Sequence, residues 1–227
     1  MRGKLIVIEA GDGCGKATQT QLLYDRLKTD NYHVKKIEFP DYESDSSALI
    51  KMYLNGDFGT NPDDVNPYAA SVFYTVDRYA SYKKSWEGFY QGGGIILADR
   101  YTTSNMVHQA AKITDKAERQ AYLNWLTDLE FGKFGLPAPD CVIFLDMHPS
   151  FSQKLINGRL NKLGSQEKDI HESNYEYLER SYRNACEIRA ENGWNIIGCV
   201  ADEQLRSIAE IHADVYKTVI KVLTDKS

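Results

Sequence analysis

A glycine-rich stretch, EAGDGCGKATQ at residues 9–19, directly follows the apolar run KLIVI. Gly11, Gly13 and Gly15 leave the backbone free to aim several N–H groups at one anion, and Lys16 adds a cation. Turns of this kind between a strand and a helix hold nucleotide phosphates. The pattern therefore predicts a phosphate-binding loop. A plain glycine-rich turn with a solvated lysine stays open as an alternative on this segment alone.

The loop departs from the usual G-x-x-x-x-G-K-[ST] pattern at both ends. Ala10 stands at the first position, where it replaces one small residue by another. Ala17 stands at the last position and removes the hydroxyl that usually binds Mg²⁺, while Thr18 lies one place too late to be assumed equivalent. We therefore expect the loop to bind phosphate but to hold its metal ion differently.

Aspartates near predicted strand ends are the candidate metal ligands. The apolar runs IILAD and CVIFLD end in Asp99 and Asp146, and Asp12 lies inside the glycine-rich loop. Carboxylates in such positions order Mg²⁺ and its waters in enzymes that transfer phosphoryl groups. We predict Asp99 and Asp12 as the metal ligands, with Asp146 as a second candidate. Any one of them could instead be a turn or cap residue.

These side chains need a scaffold, and the hydrophobic pattern predicts one. Apolar runs predict strands at 4–10, 33–39, 95–100, 141–146 and 194–199, and helical patterns occupy 67–90, 116–134, 173–192 and 202–224. Strands alternating with helices predict an α/β domain whose parallel sheet is covered on both faces. Ligands of such sheets bind beyond the carboxyl ends of the strands, where the loop and the aspartates lie.

Composition narrows the class further. The chain has 227 residues, 42% of them hydrophobic, and a net charge of −5, which suits one domain over 1–227 and argues against a nucleic-acid coat. No apolar run is long enough to span a membrane, and Glu9 comes too early for a signal peptide. The four cysteines form no C-x-x-C pair, which predicts reduced thiols and a cytoplasmic protein.

In chain order, the motifs resemble those of the thymidylate kinase family. EAGDGCGKATQ is similar to that family's E-G-x-D-G-x-G-K-[ST]-T-Q, YTVDR to F-A-A-D-R, and DRYTTSNMVHQ to D-R-Y-x-x-S-x-x-A-Y-Q. FPDY, PDCVIFLDMHP and KDIHESNYEYLERSY resemble further segments, so the likeness covers essentially the whole chain. It implies a three-layer P-loop kinase fold, with about five parallel strands flanked by helices and a short lid at 157–173. It also implies transfer of the γ-phosphoryl group of ATP to thymidine monophosphate (dTMP), with Mg²⁺ as cofactor, in a homodimer.

The resemblance also implies a role for each candidate residue. The catalytic residues would be Lys16, Asp12, Asp99 and Arg100. ATP would be bound by Gly11, Asp12, Gly13, Cys14, Gly15, Lys16, Ala17, Thr18 and Arg159. The dTMP site would contain Tyr42, Tyr74, Arg78, Arg100, Asn105, His108 and Gln109. The candidate lid residues are Lys162, Lys168 and Glu172, because Ile170 occupies the position of the family's lid arginine.

The residues of the predicted dTMP site suit that role chemically. Arg78 lies one helical turn after Tyr74, so the ring could stack on thymine while the guanidinium donates to its O4 atom. Such a donor disfavours the amino group of cytosine. Two departures are notable: Tyr42 stands close to where an arginine commonly binds the acceptor phosphate, and His108 replaces a tyrosine.

Two other functions stay open at this point. One is a P-loop kinase for a different substrate, such as deoxyadenosine or cytidylate, which would not depend on Arg78. The other is a nucleotide sensor without turnover, suggested by Ala17 and by the sparse cations of the lid.

Overall fold

The computed structural model describes residues 2–156, 170–171 and 174–225. Its central sheet contains β1 (Leu5–Glu9), β2 (Val34–Glu38), β3 (Ile95–Asp99), β4 (Cys141–Asp146) and β5 (Asn195–Gly198). All neighbouring pairs are parallel, in the order β2-β3-β1-β4-β5. The carboxyl ends of the strands therefore meet at one edge, and the five-stranded α/β fold is confirmed.

Helices cover both faces of the sheet in the described part of the chain. They are α1 (Lys16–Thr29), α2 (Ala48–Leu54), α3 (Pro67–Ser81), α4 (Glu87–Gln91), α5 (Thr102–His108), α6 (Lys116–Thr127), α7 (Pro149–Ile156), α8 (Tyr175–Glu191) and α9 (Ile208–Thr224). The start of α3 follows directly from the sequence. Asn66 accepts a hydrogen bond from the backbone N–H of Ala69, and Pro67 takes the first helical position.

Two predicted helices contain wider π-helical turns, which the hydrophobic pattern did not indicate. The helix predicted at 67–90 passes from α3 through a π-helical turn, Tyr82–Trp86, into α4. The helix predicted at 116–134 ends in another, Asp128–Lys133. Such turns change which side chains face the core, and they are frequent at functional sites.

The prediction of a helix from residue 202 is wrong. Short strands β6 (Val200–Ala201) and β7 (Gln204–Leu205) form an antiparallel hairpin there. Asp202 and Glu203 take left-handed backbone angles, with φ of 50° and 60°. The helix begins only after Ser207, whose hydroxyl accepts a hydrogen bond from the N–H of Glu210. This cap, rather than apolar periodicity, determines where α9 starts.

The core consists of two apolar layers, one on each face of the sheet. Leu5 and Val7 of β1 pack with Trp86 and Tyr101 on one face, and Ile6 and Ile8 pack in the opposite layer. A smaller cluster between α2 and α3 contains Ile50, Tyr53, Leu54, Ala70 and Ile170. Because β1 is buried on both faces, the loop that follows it has a rigid base.

Two further findings concern the chain as a whole. The four cysteines are free thiols. None of the helices in the described ranges combines the length and apolarity that a membrane span requires.

Candidate functional site

The glycine-rich segment forms the turn between β1 and α1, as predicted. Gly13 and Gly15 have φ of 75° and 80°, left-handed values that favour glycine. The buried Lys16 ammonium folds back over the turn, and its Nζ atom donates to the carbonyl oxygens of Ala10 at 3.0 Å and Gly11 at 2.6 Å. The turn therefore brings a cation and the N-terminus of a 14-residue helix to one place, which is the arrangement that binds phosphate.

Other residues of the loop differ in their surroundings. Ala17 and Thr18 are exposed in the first turn of α1. Cys14 is buried, and its Sγ atom lies 3.8 Å from the carbonyl oxygen of Met147. Burial raises the pKa of the Cys14 thiol to about 11, so the thiol stays protonated at neutral pH and acts as a packing group.

Arg100 joins the loop to the end of β3. Its guanidinium forms ion pairs with Asp12 and, at 3.2 Å, with Glu9, and it donates to the Ser104 hydroxyl at 3.1 Å. Arg100 itself has a left-handed φ of 68°, an unfavourable angle for a residue with a side chain. Such strain is concentrated at functional sites, because the surrounding contacts must hold it.

The charges in this cluster stabilise one another. Burial alone would raise the pKa of Asp12, but the nearby Arg100 and Lys16 hold that pKa well below its ordinary value. Burial lowers the pKa of Lys16, Arg100 adds to that shift, and Asp12 and Asp99 oppose it. At neutral pH Asp12 is therefore a carboxylate. An incoming phosphate would compete with it for the Arg100 guanidinium.

Glu9 is a buried member of this cluster, and it is not among the site residues predicted from the sequence. Its carboxylate accepts hydrogen bonds from the hydroxyls of Thr103 and Ser104, both at 2.7 Å, and from the backbone N–H of Ala10 at 3.0 Å. With these contacts and its ion pair, Glu9 ties the loop to Arg100 and to α5. The available signal was an acidic residue at the end of a strand that is otherwise apolar.

The two strand-end aspartates differ. Asp99 is 2% exposed, and its Oδ1 atom has no hydrogen-bond partner in the described part of the chain. Asp146 instead accepts from the Tyr182 hydroxyl at 2.9 Å and pairs with Arg189 at 2.7 Å. The Asp146 carboxylate already has protein partners, which argues against its role as a metal ligand. Asp99 offers an oxygen atom that is still available.

A magnesium ion fits this donor set only if nucleotide phosphates complete it. Within residues 2–156, 170–171 and 174–225, no three His, Cys, Asp or Glu side chains form a ready-made metal site. Mg²⁺ commonly uses one or two carboxylates together with substrate phosphates and waters. Asp12 Oδ1 lies 3.9 Å from Lys16 Nζ, and Asp99 is paired with Ile8 of β1, directly before the loop, so both carboxylates lie at the same edge of the sheet.

The residues predicted to bind the base lie on α3 and α5. Arg78 is 1% exposed and pairs with Glu130, which sequence reasoning missed, and it also donates to Asn105 at 2.9 Å. Tyr74 and Tyr42 are partly buried and pack against the small cluster between α2 and α3. The structure therefore brings Arg78 and Asn105 into contact and places Tyr42 and Tyr74 against one common cluster.

His108 lies beside Arg100, with its Nε2 atom 3.3 Å from the guanidinium. Its ring is nearly parallel to that of His171, with the ring centroids 6.2 Å apart. Burial lowers the pKa of His108 to about 3, so the ring is neutral at pH 7. Gln109 is also buried, and its Oε1 atom has no hydrogen-bond partner among the residues that the structure covers.

Most of the candidate lid lies outside the described residues. This applies to Arg159, Lys162, Lys168 and Glu172. Ile170 is described: it packs in the cluster with Ile50 and Tyr53, and its N–H donates to the carbonyl oxygen of Leu54 at 3.4 Å. Ile170, which the family resemblance predicts at the position of the lid arginine, thus packs in an apolar cluster.

Comparisons with known proteins agree on one family. The family model described as thymidylate kinase matches residues 8–214. The thymidylate kinase of Mycobacterium tuberculosis is 27% identical over 202 residues, covering 87% of this chain and 92% of that protein. That of Schizosaccharomyces pombe is 29% identical and covers 97% and 93%. The solved thymidylate kinase of Candida albicans shares the fold with a TM-score of 0.71 at 21% identity, over 97% of this chain and 92% of that one.

Proposed function

This chain belongs to the thymidylate kinase family, and from that premise we propose how its cleft carries out the reaction. The enzyme transfers the γ-phosphoryl group of ATP to dTMP, giving ADP and thymidine diphosphate for dTTP synthesis. The observation that best supports this function is the ion pair between Asp12 of the glycine-rich loop and Arg100 at the end of β3. That contact supports the proposal because Asp12 lies between Lys16 of the loop and Arg100, so both cations lie close to the same carboxylate.

We assign the two substrates to the two sides of this contact. The loop N–H groups and Lys16 bind the phosphates of ATP, and Arg100 binds the dTMP phosphate. Tyr74 stacks on the thymine ring, and Arg78 donates to its O4 atom. Phosphoryl transfer requires little covalent chemistry from the protein, so positioning two anions in line and balancing their charge is the main task.

A coupled assay of ADP release tests this function across nucleoside monophosphates. We expect dTMP to be the preferred acceptor. Deoxyuridine monophosphate, which lacks one methyl group, should have a kcat/KM roughly 10–200-fold lower. Cytidylate should react worse still, because its amino group faces the Arg78 donor. Equal rates for all acceptors, or ATP binding without turnover, would refute the proposal.

We further propose that Asp99 and Asp12 hold Mg²⁺ together with the phosphates. The unpartnered Oδ1 atom of Asp99 supports this assignment. When bound, the ion neutralises charge on the β- and γ-phosphate oxygens. The residues on the protein side order the ion and its waters, and Lys16 stays available for the phosphates.

The variant Asp99→Asn tests the metal assignment. It keeps the side-chain shape but removes the charge, so the Mg²⁺ concentration for half-maximal rate should rise by about 10–100-fold. Magnesium titration at saturating nucleotides measures this, with tryptophan fluorescence following metal–nucleotide binding separately. Asp146→Asn is the matched control. If both variants shift the titration equally, the assignment to Asp99 is wrong.

A homodimer is also part of the proposal. One face of α3 exposes four apolar side chains by 37–43% each: Tyr68, Val72, Val76 and Tyr79. So many exposed apolar side chains along one face of a helix are unusual. Leu49 and Met52 of α2 are also exposed. We assign this surface to contact with a second copy of the chain.

The free cysteines support a cytoplasmic location.

The dimer predicts a clear result in sedimentation experiments. Val72→Glu combined with Val76→Glu should convert the protein to a monomer, because two charges would be buried in the interface without partners. Leu205→Glu, at an apolar residue of similar exposure in the β6–β7 hairpin, should stay dimeric. A monomeric unsubstituted protein at micromolar concentration would contradict the dimer.

A further inference from the structure

Glu130 is a completely buried carboxylate outside every motif of the family resemblance. It lies in the π-helical turn Asp128–Lys133 that extends α6. The hydroxyls of Thr75 and Thr102 donate to it at 3.0 and 2.6 Å. A buried carboxylate is tolerated only with a cation and with hydrogen bonds to its oxygens. This one has both, from α3 and α5.

The cation is Arg78, which forms a bidentate ion pair with Glu130. Its Nε atom donates to Glu130 Oε2 at 2.9 Å, and its Nη2 atom contacts Oε1. Nη2 also donates to Asn105 Oδ1 at 2.9 Å. A guanidinium has five N–H groups, and these contacts use the one on Nε and both on Nη2. In the described residues, the remaining acceptor is the Tyr101 carbonyl oxygen, 3.5 Å from Nη1. Because Nη1 carries two N–H groups, one of them remains for a ligand after this long contact.

The same pair orients the amide of Asn105. A guanidinium cannot accept a hydrogen bond, so the amide atom that faces Arg78 must be the oxygen. The Nδ2 atom is then the one that donates to the Ser71 hydroxyl, at 3.0 Å. Glu130 therefore orients Arg78 on α3 and, through Arg78, the amide of Asn105 on α5.

We infer that Glu130 is the positioning residue for base recognition: it holds Arg78 so that Nη1 donates to the keto oxygen of a pyrimidine. The inference rests on the proposed function and deepens it. Arg78 makes the contact with the base, and Glu130 acts only through Arg78. The Glu130 carboxylate binds Nε and Nη2 of Arg78, which could otherwise rotate toward the ligand. The preference for a keto over an amino group therefore depends on Glu130.

The test compares Glu130→Gln, Arg78→Met and the double variant in steady-state kinetics with dTMP, cytidylate and ATP. Glu130→Gln should lower kcat/KM for dTMP by about 10²-fold, mostly through KM, because the guanidinium is misplaced. The KM for ATP should stay within about twofold, and the preference for dTMP over cytidylate should shrink. Adding Glu130→Gln to Arg78→Met should change kcat/KM by less than about twofold, because contacting residues are coupled.

Two results would overturn the inference. One is a kcat/KM for dTMP in Glu130→Gln within twofold of the unsubstituted enzyme. The other is multiplication of the two single effects in the double variant, which indicates an independent structural role. Glu187→Gln is the control, because it breaks a more exposed Glu–Arg pair with Arg119 and should leave all constants unchanged.

If Glu130→Gln does not fold, Thr102→Val replaces it. This variant removes one hydroxyl from Glu130 Oε2, the oxygen that also binds Arg78, and it leaves the charges paired. The KM for dTMP should then rise by about 2- to 10-fold with the KM for ATP unchanged; an unchanged KM for dTMP overturns the inference. An unsubstituted enzyme inactive on dTMP would refute the proposed function, whereas an active enzyme insensitive to these changes refutes only the role of Glu130.

Discussion

Replacing Lys16 by methionine should lower kcat by about 10³-fold, while the KM for dTMP changes by less than about threefold. The Lys16 ammonium now donates to two loop carbonyl oxygens, 3.0 and 2.6 Å away, in a buried position at the start of α1. A preformed cation at a water-poor site stabilises the charge that develops on the transferred group, and losing one such donor costs about 10²–10³ in kcat. Methionine retains most of the unbranched side chain and removes the ammonium with its charge and hydrogen bonds.

Rapid-quench measurement of ADP formation in a single turnover tests this prediction, because it separates chemistry from product release. Lys28→Met, in the last turn of the same helix, is the control and should behave like the unsubstituted enzyme. If Lys16→Met retained a tenth or more of the single-turnover rate, Lys16 would not be the cation at the transferring phosphate.

Arg100→Lys should lower kcat/KM for dTMP by about 10²–10³-fold although it conserves the charge. The Arg100 guanidinium reaches Asp12, Glu9 and Ser104 at the same time, and its planar fork matches a phosphate in a way that a lysine does not. These contacts hold the side chain in one direction, and they also offset the unfavourable left-handed backbone at this position, with φ of 68°. Lysine would keep part of the attraction to the phosphate and lose its geometry.

Steady-state constants for both substrates distinguish this effect from general damage. The KM for ATP should change by less than about threefold, and thermal unfolding should show a folded protein. Arg26→Lys, in an exposed pair with Asp30, is the matched control. A loss in Arg100→Lys that falls equally on ATP and dTMP would place Arg100 in a structural role instead.

The arrangement around Arg100 explains how the free enzyme tolerates this many charges. Glu9 and Asp12 are acidic partners that balance Arg100 when no phosphate is bound. Asp12 can release the guanidinium because it also lies within 3.9 Å of Lys16. Glu9 cannot leave, since its oxygens accept hydrogen bonds from α5 as well. One acid is thus exchangeable and the other permanent.

Local features of the sequence were sufficient to predict most of the elements. The five strands, the glycine-rich turn and the start of α3 follow from apolar runs, from glycine's freedom at left-handed angles and from the cap at Asn66. These depend on neighbours within a few residues, so they can be read without the fold. The hydrophobic pattern did not predict the β6–β7 hairpin, because the apolar residues of this segment also fit a helical period.

The sequence by itself determined which chemical groups exist and the edge of the sheet at which they gather, because the carboxyl ends of parallel strands necessarily lie together. Only the tertiary structure decided their partners. The pairing of Arg78 with Glu130, 52 positions apart, and the engagement of Asp146 by Tyr182 and Arg189, depend on how helices pack. A chain with 32 acidic residues does not reveal which carboxylate will be buried beside a given arginine. That choice is made by packing between distant segments, where the energy of a buried charge depends on every surrounding donor.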